Sequence, residues 1–201
     1  PTTPTTPSQP SDVEEDSSDN SVPQFSDIGG HWSEQAVRKA ASLKLIQGYP
    51  DGKFRPDQAV TRAQFAVMLS NALKLNTAET ALPFSDGEQI PQWARAAVAQ
   101  TAAAGLITGY EDGSFGASAV VTRSQMAVML QRALRIDIPA GDVERFADHR
   151  DIPSWARPAV EALRASGLIE GRGGNRFAPN EETSRAEAAV MLLGMLEYRN
   201  E

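Results

Sequence analysis

Three arginines occupy the same unusual place in this 201-residue sequence: Thr61-Arg62-Ala63-Gln64, Thr122-Arg123-Ser124-Gln125 and Ser184-Arg185-Ala186-Glu187. In each tetrad a hydroxyl residue comes first, Gln or Glu follows three positions later, and an apolar run begins. That is the capping box of a helix N-terminus, in which the hydroxyl accepts the N3 amide and the N3 side chain returns to the N-cap amide. Thr61, Thr122, Ser184, Gln64, Gln125 and Glu187 are thereby assigned a helix-capping role. The arginines are not explained by it. At N1 a cation faces the positive end of the helix dipole, which costs a few tenths to ~1 kcal/mol, and Asp, Glu or Pro would suit the position better. An arginine fork beside helix-terminal amides is chemistry for an anion, carboxylate or phosphate. Anion binding is therefore the favoured reading of Arg62, Arg123 and Arg185; the alternative is ion pairing with Asp27, Asp86 or Asp148 of a neighbouring copy. If the cation is only tolerated there, its removal should leave the melting temperature unchanged or slightly raised.

The rest of the sequence offers little other chemistry. There is no cysteine, hence no disulfide, thiolate metal site or thiol nucleophile. His31 and His149 are the two possible imidazole bases, at non-equivalent positions. No G-x-S-x-G, phosphate-loop lysine or H-E-x-x-H occurs, so the reading is not an enzyme. Asp51-Gly52 and Asp112-Gly113 lack the acidic ladder of a calcium loop; no metal or cofactor is expected. The net charge is −7, and five of those charges lie in residues 1–24, so the remainder carries −2. Without a basic field a nucleic-acid partner is excluded, and without a long apolar stretch membrane insertion is too. An anion must then be held by local geometry.

The elements that position the arginines recur with them. Trp32, Trp93 and Trp155 are spaced by about 61 and 62 residues, and each copy opens Phe-x-Asp: Phe25/Asp27, Phe84/Asp86 and Phe146/Asp148. An internal period of this length marks a repeat architecture. In each copy a first helix begins near the tryptophan and carries a buried stripe, Trp32, Ala36, Val37, Ala40 and Leu43 in the first. It stops at Gly105 or Gly167, suited to a left-handed C′ residue; Lys44 would be strained in that place. A turn-rich loop follows, Leu45 to Phe54, Leu106 to Phe115 and Leu168 to Phe177, the last having lost the tyrosine and the Asp-Gly. The second helix has the clearest stripe, Phe65, Met68, Leu69, Ala72 and Leu73 in the first copy, and three such stripes call for packing together. The tryptophans suit either a core anchor or a ring stacked on a sugar. Gly48, Gly109 and Gly171 answer to backbone conformation or to close approach of a ligand.

Residues 1–24, rich in Pro, Thr, Ser and acid, read as a disordered linker. The repeats span 25–83, 84–145 and 146–201. The opening Pro1-Thr2-Thr3-Pro4 reads as a mature or excised fragment whose targeting signal lies outside it, with a covalently linked passenger region N-terminal to residue 1.

Phe-x-Asp, the helix-opening Trp, Leu-Ile-x-Gly-Tyr-x-Asp-Gly-x-Phe and Thr-Arg-Ala-Gln together resemble the S-layer homology (SLH) domain, over residues 25 to about 197. The resemblance implies an all-α, pseudo-threefold assembly of three repeats around a central helix bundle. It implies an extracellular anchoring module on a bacterial cell wall, holding an anionic, pyruvylated secondary wall polysaccharide in grooves between repeats. Direct peptidoglycan binding and protein–protein adhesion remain alternatives. By position, Arg62, Arg123 and Arg185 would meet the polymer's charge, with Asp27, Asp86, Asp148, the three tryptophans and Gly48, Gly109 and Gly171 lining the grooves. Gln64 and Gln125 depart from the family's Glu. Only Glu187 keeps it, in the copy whose loop departs most, so the groove depending on residues 171–176 should be the weakest or altered.

Overall fold

The computed structural model describes residues 23–76, 81–137 and 144–200; the linker reading falls almost wholly outside them. The described chain is all-α. Its helices are α1 (Glu34–Ser42), α2 (Arg62–Leu73), α3 (Gln92–Ala103), α4 (Arg123–Leu134), α5 (Arg157–Ala165) and α6 (Arg185–Asn200). Short 3-10 turns at Gly87–Gln89 and His149–Asp151 precede α3 and α5.

Each repeat contributes two helices, the second longer than the first in the first and third copies and equal to it in the second, and their main packing partners lie outside the repeat. α2 packs on α3, α4 on α5 and α6 on α1, so each second helix covers the first helix of the following repeat and the last closes on the first. α6 also touches α2 and α4. The second-helix stripes predicted from sequence supply this core: Phe65, Leu69, Met126, Ala188, Leu192 and Met195 are all buried. Burial of such side chains at about 1.5–3 kcal/mol each is what holds the ring together.

A second ring lies at the helix entrances. Val60 donates its amide to Thr183 O, Thr183 to Val121 O and Val121 to Val60 O, at 2.9–3.0 Å. Three hydrogen bonds thus close a cycle through the three repeats, and all three residues are fully buried. The amides that open the second helices point across the same junctions. Arg62 N and Ala63 N donate to Ala119 O and Ala117 O, Arg123 N and Ser124 N to Glu181 O and Pro179 O, and Arg185 N and Ala186 N to Gln58 O and Pro56 O. N3 is taken by the cap hydroxyl in each copy: Gln64 N on Thr61, Gln125 N on Thr122 and Glu187 N on Ser184. The helix-terminal amides expected to be free for an anion are therefore all occupied, because backbone donors at a buried junction must find acceptors.

Two expectations about the first helix are corrected. Trp32 and Trp155 sit in the turns before α1 and α5, Trp93 is the second residue of α3, and all three are exposed, at 65%, 57% and 59%. Leu43 is also exposed, because α1 ends at Ser42 before its stripe returns to the core. The helix stops follow the reading. Gly105 and Gly167 have φ of 69° and 71°, and Lys44 takes the same left-handed place at 59°.

Candidate functional site: arginine grooves between repeats

The aspartates of Phe-x-Asp hold the loops. Asp27 accepts Phe54 N and Arg55 N at 2.8 and 2.7 Å. Asp86 accepts Phe115 N and Gly116 N, and Asp148 accepts Phe177 N and Ala178 N, at 2.7–2.9 Å. Both oxygens of each carboxylate are thus engaged by successive amides, and the second amide belongs to a residue at positive φ: Arg55, Gly116 or Ala178. Burial would raise these carboxyl pKa values, but the paired amides outweigh it and hold all three below the ordinary aspartate value. Asp27, Asp86 and Asp148, expected from sequence to line the grooves, thus clamp the loops from which the groove carbonyls project.

Gly48, Gly109 and Gly171 serve the same loops. A Cβ on Gly48 would lie 2.4 Å from the Phe25 ring and 2.9 Å from Lys53 O; on Gly109, 2.8 Å from Ser114 O and 3.0 Å from the Phe84 ring; on Gly171, 3.0 Å from the Asn175 backbone. The close approach that requires glycine is made by the protein's own loop and, in the first two copies, by the opening phenylalanine.

With the loops held, their carbonyls face the arginine of the preceding repeat. Arg62 donates from Nε to Phe115 O and from Nη2 to Thr108 O, both at 2.8 Å. Arg185 does the same toward Phe54 O and Gln47 O, at 2.8 and 2.9 Å. Arg123 donates from Nε to Phe177 O at 2.6 Å, and its Nη1 lies 3.4 Å from Glu187 Oε1. The three arginines are only 3–5% exposed. None pairs with Asp27, Asp86 or Asp148, so the alternative reading from sequence gives way to a third one: the guanidinium bolts one repeat to the carbonyls of the next. Burial lowers each guanidinium pKa, the largest influence on it.

Among the described residues each guanidinium keeps one nitrogen without a hydrogen-bond partner, but in Arg62 and Arg185 it is Nη1, on the edge away from the carbonyls, while in Arg123 it is Nη2, which finds no second loop carbonyl. The Arg62 and Arg185 guanidinium groups each lie over a tyrosine, Tyr110 at 4.5 Å and Tyr49 at 4.9 Å. Arg62 lines a cavity of about 300 Å³ together with Thr108, Gly109, Tyr110, Gln125, Met129 and Arg132 of the second repeat and Trp155 of the third. Three of the groove residues expected from sequence, Arg62, Gly109 and Trp155, are thus brought to one cleft. Tyr110 and Arg132 were not anticipated there; a tyrosine shared by the first two loops was the available signal.

The third junction differs. Arg172 stands where the other loops carry tyrosine, and it contacts both Glu181 and Glu187 Oε1. Trp32 faces this side, in a cavity shared with Arg172, Ser184 and Glu187 and in a larger one of about 660 Å³ between α1 and α6.

A family model described as the S-layer homology domain matches residues 24–66, 83–127 and 145–189, and the chain belongs to that family in three tandem copies. It is 31% identical, over 86% of its length, to the surface-layer 125 kDa protein of Lysinibacillus sphaericus. It is 30% identical over 86% of its length to an amylopullulanase of Thermoanaerobacterium thermosulfurigenes, and 29% identical over 88% to a cellulosome-anchoring protein of Acetivibrio thermocellus. The chain spans 15%, 9% and 38% of those relatives. The family and its surface-layer relatives place the module at the cell surface.

Proposed function

We propose that this cell-surface anchoring module works without catalysis, by gripping an acidic, pyruvylated wall polysaccharide in the grooves between its repeats. The anchoring role follows the family and the surface-layer and cellulosome-anchoring relatives. The charged-sugar reading rests on one observation: a nearly buried guanidinium, Arg62, keeps one nitrogen unpartnered at a cleft that an exposed Trp155 also lines. A desolvated arginine with a spare donor edge recognises a carboxylate far better than an exposed one would, because the surroundings screen it less. The tryptophan face supplies the apolar wall on which a sugar ring stacks. The relatives are several times longer than the matched region, which supports a passenger joined through the Pro/Thr/Ser-rich segment.

The test is co-sedimentation with purified bacterial walls before and after extraction of the acidic polymer. Intact walls should retain the chain and extracted walls should not; equal retention would favour direct peptidoglycan binding. Trp155→Ala should weaken retention while stability stays within about 0.5 kcal/mol, as for other exposed positions. Unchanged retention would remove Trp155 from the site.

A further inference from the structure

We infer that the third groove is sealed by the protein's own side chains, so that anionic sugar enters the grooves of Arg62 and Arg185 but not that of Arg123; this rests on the charged-sugar reading above. Three observations carry it. First, the nitrogen of Arg123 that corresponds to the open edge elsewhere lies 3.4 Å from Glu187 Oε1, and this carboxylate is itself largely covered. Second, the same Glu187 oxygen accepts Arg172, whose other nitrogen contacts Glu181. Third, the residues that make this network are those that differ between copies. Gln64 and Gln125 stand where Glu187 does, and Tyr49 and Tyr110 stand where Arg172 does.

The electrostatics follow directly. At the Arg62 and Arg185 junctions the capping residue and the tyrosine are neutral and no carboxylate bonds to the guanidinium, although Glu111 as well as Arg132 lines the Arg62 cleft. At the third junction Arg123 and Arg172 face Glu181 and Glu187, two cations against two anions. An incoming carboxylate would have to displace Glu187, which cannot leave cheaply. Its other oxygen accepts Ser184 N at 3.0 Å, and its own amide donates to the Ser184 hydroxyl at 3.1 Å, so it is pinned by the capping box. Removing one partner of a covered ion pair also strands the other. The cleft remains, but the Nη1 edge that is open at the other two junctions already faces a carboxylate there. Arg172 and Glu187 are therefore specificity-determining residues: they deny the anion one of three equivalent positions.

The other copies supply substitutions the fold already accommodates: Glu187→Gln keeps a capping box like those of α2 and α4, and Arg172→Tyr restores the loop residue of the first two repeats. The three tryptophans provide one reporter for each groove. Trp155 lines the Arg62 cleft and Trp32 the third; Trp93, second residue of α3, which packs on α2, is assigned to the Arg185 groove by its equivalence to them in the repeat. The experiment follows the three indole N–H resonances while the methyl glycoside of a 4,6-pyruvylated N-acetylhexosamine is titrated in. In the wild-type chain Trp93 and Trp155 should shift saturably and Trp32 should stay. In the Glu187→Gln/Arg172→Tyr chain Trp32 should join them, with affinity at that groove improved about tenfold or more, the worth of one charge-assisted hydrogen bond. Glu187→Gln alone should give part of the gain. Trp32 shifting alongside the others in wild type, or staying silent in the double variant while they respond, overturns the sealing and leaves anchoring intact. If no indole moves in either chain, the charged-sugar reading fails and the sealing with it.

Discussion

A guanidinium at the first position of a helix is where local preference and observed residue disagree most in this chain. The opposition of the dipole is worth at most ~1 kcal/mol, whereas a hydrogen bond to a charged donor contributes about 1.5–3 kcal/mol. Arg62 makes two, to Phe115 O and Thr108 O, so the cross-repeat bonds win. Arg62→Ala should therefore lower stability by about 2–4 kcal/mol in denaturant unfolding, not leave it neutral as the dipole alone suggests; an unchanged midpoint would show that the carbonyls find other donors. Lys44 offers the opposite case. It holds φ of 59° where the other repeats have Gly105 and Gly167, and Lys44→Gly should gain about 1 kcal/mol by removing the left-handed penalty. The arginine's oddity was legible in the sequence because a dipole mismatch is a local fact. Its destination was not, since the accepting carbonyls lie 46 and 53 residues further on and carbonyls leave no mark in a residue pattern. Trp32 and Leu43 were misplaced for a related reason: helical spacing says which residues share a face, but not where the helix begins or stops.

Between the residue and the whole lie the loop clamps and the junction ring. Asp27, Asp86 and Asp148 have folded-state pKa values below the ordinary aspartate value of 3.8. A lowered carboxyl pKa contributes stability that is fully present above the unfolded value and is lost as pH falls through the folded one. The melting temperature should accordingly be unaffected by these groups at neutral pH and should fall below about pH 4, and Asp148→Asn should flatten that fall; an acid limb unchanged by the substitution would show that other carboxylates cause it. In the junction ring Thr183 stands where the other repeats have Val60 and Val121, and among the described residues its buried hydroxyl oxygen has no hydrogen-bond partner. Thr183→Val removes that uncompensated polar atom at nearly constant shape and should stabilise the fold by about 1 kcal/mol. The six helices of the described residues, the capping boxes of α2, α4 and α6 and the second-helix stripes could be read from the sequence. The exchange of partners between repeats could not, because the same stripe satisfies either neighbour.

At the scale of the molecule, function depends on that exchange. Every groove is built by more than one repeat: the Arg62 cleft takes its arginine from the first, its loop and helix wall from the second and its tryptophan from the third. Because α6 closes on α1, a chain ending at Thr183 would leave α1 uncovered and should lose cooperative thermal unfolding; a sharp transition would show that the ring is dispensable. The overall charge of −7 makes attraction to an acidic polymer unfavourable at long range, so on the proposed reading capture would rest on the donors inside the grooves. Calorimetric titration of the chain with soluble acidic wall polymer, native and after mild acid removal of its pyruvyl ketals, addresses that most directly. The account predicts saturable binding to the native polymer and at least a tenfold loss once the ketals are gone. Equal affinity for both polymers would contradict it.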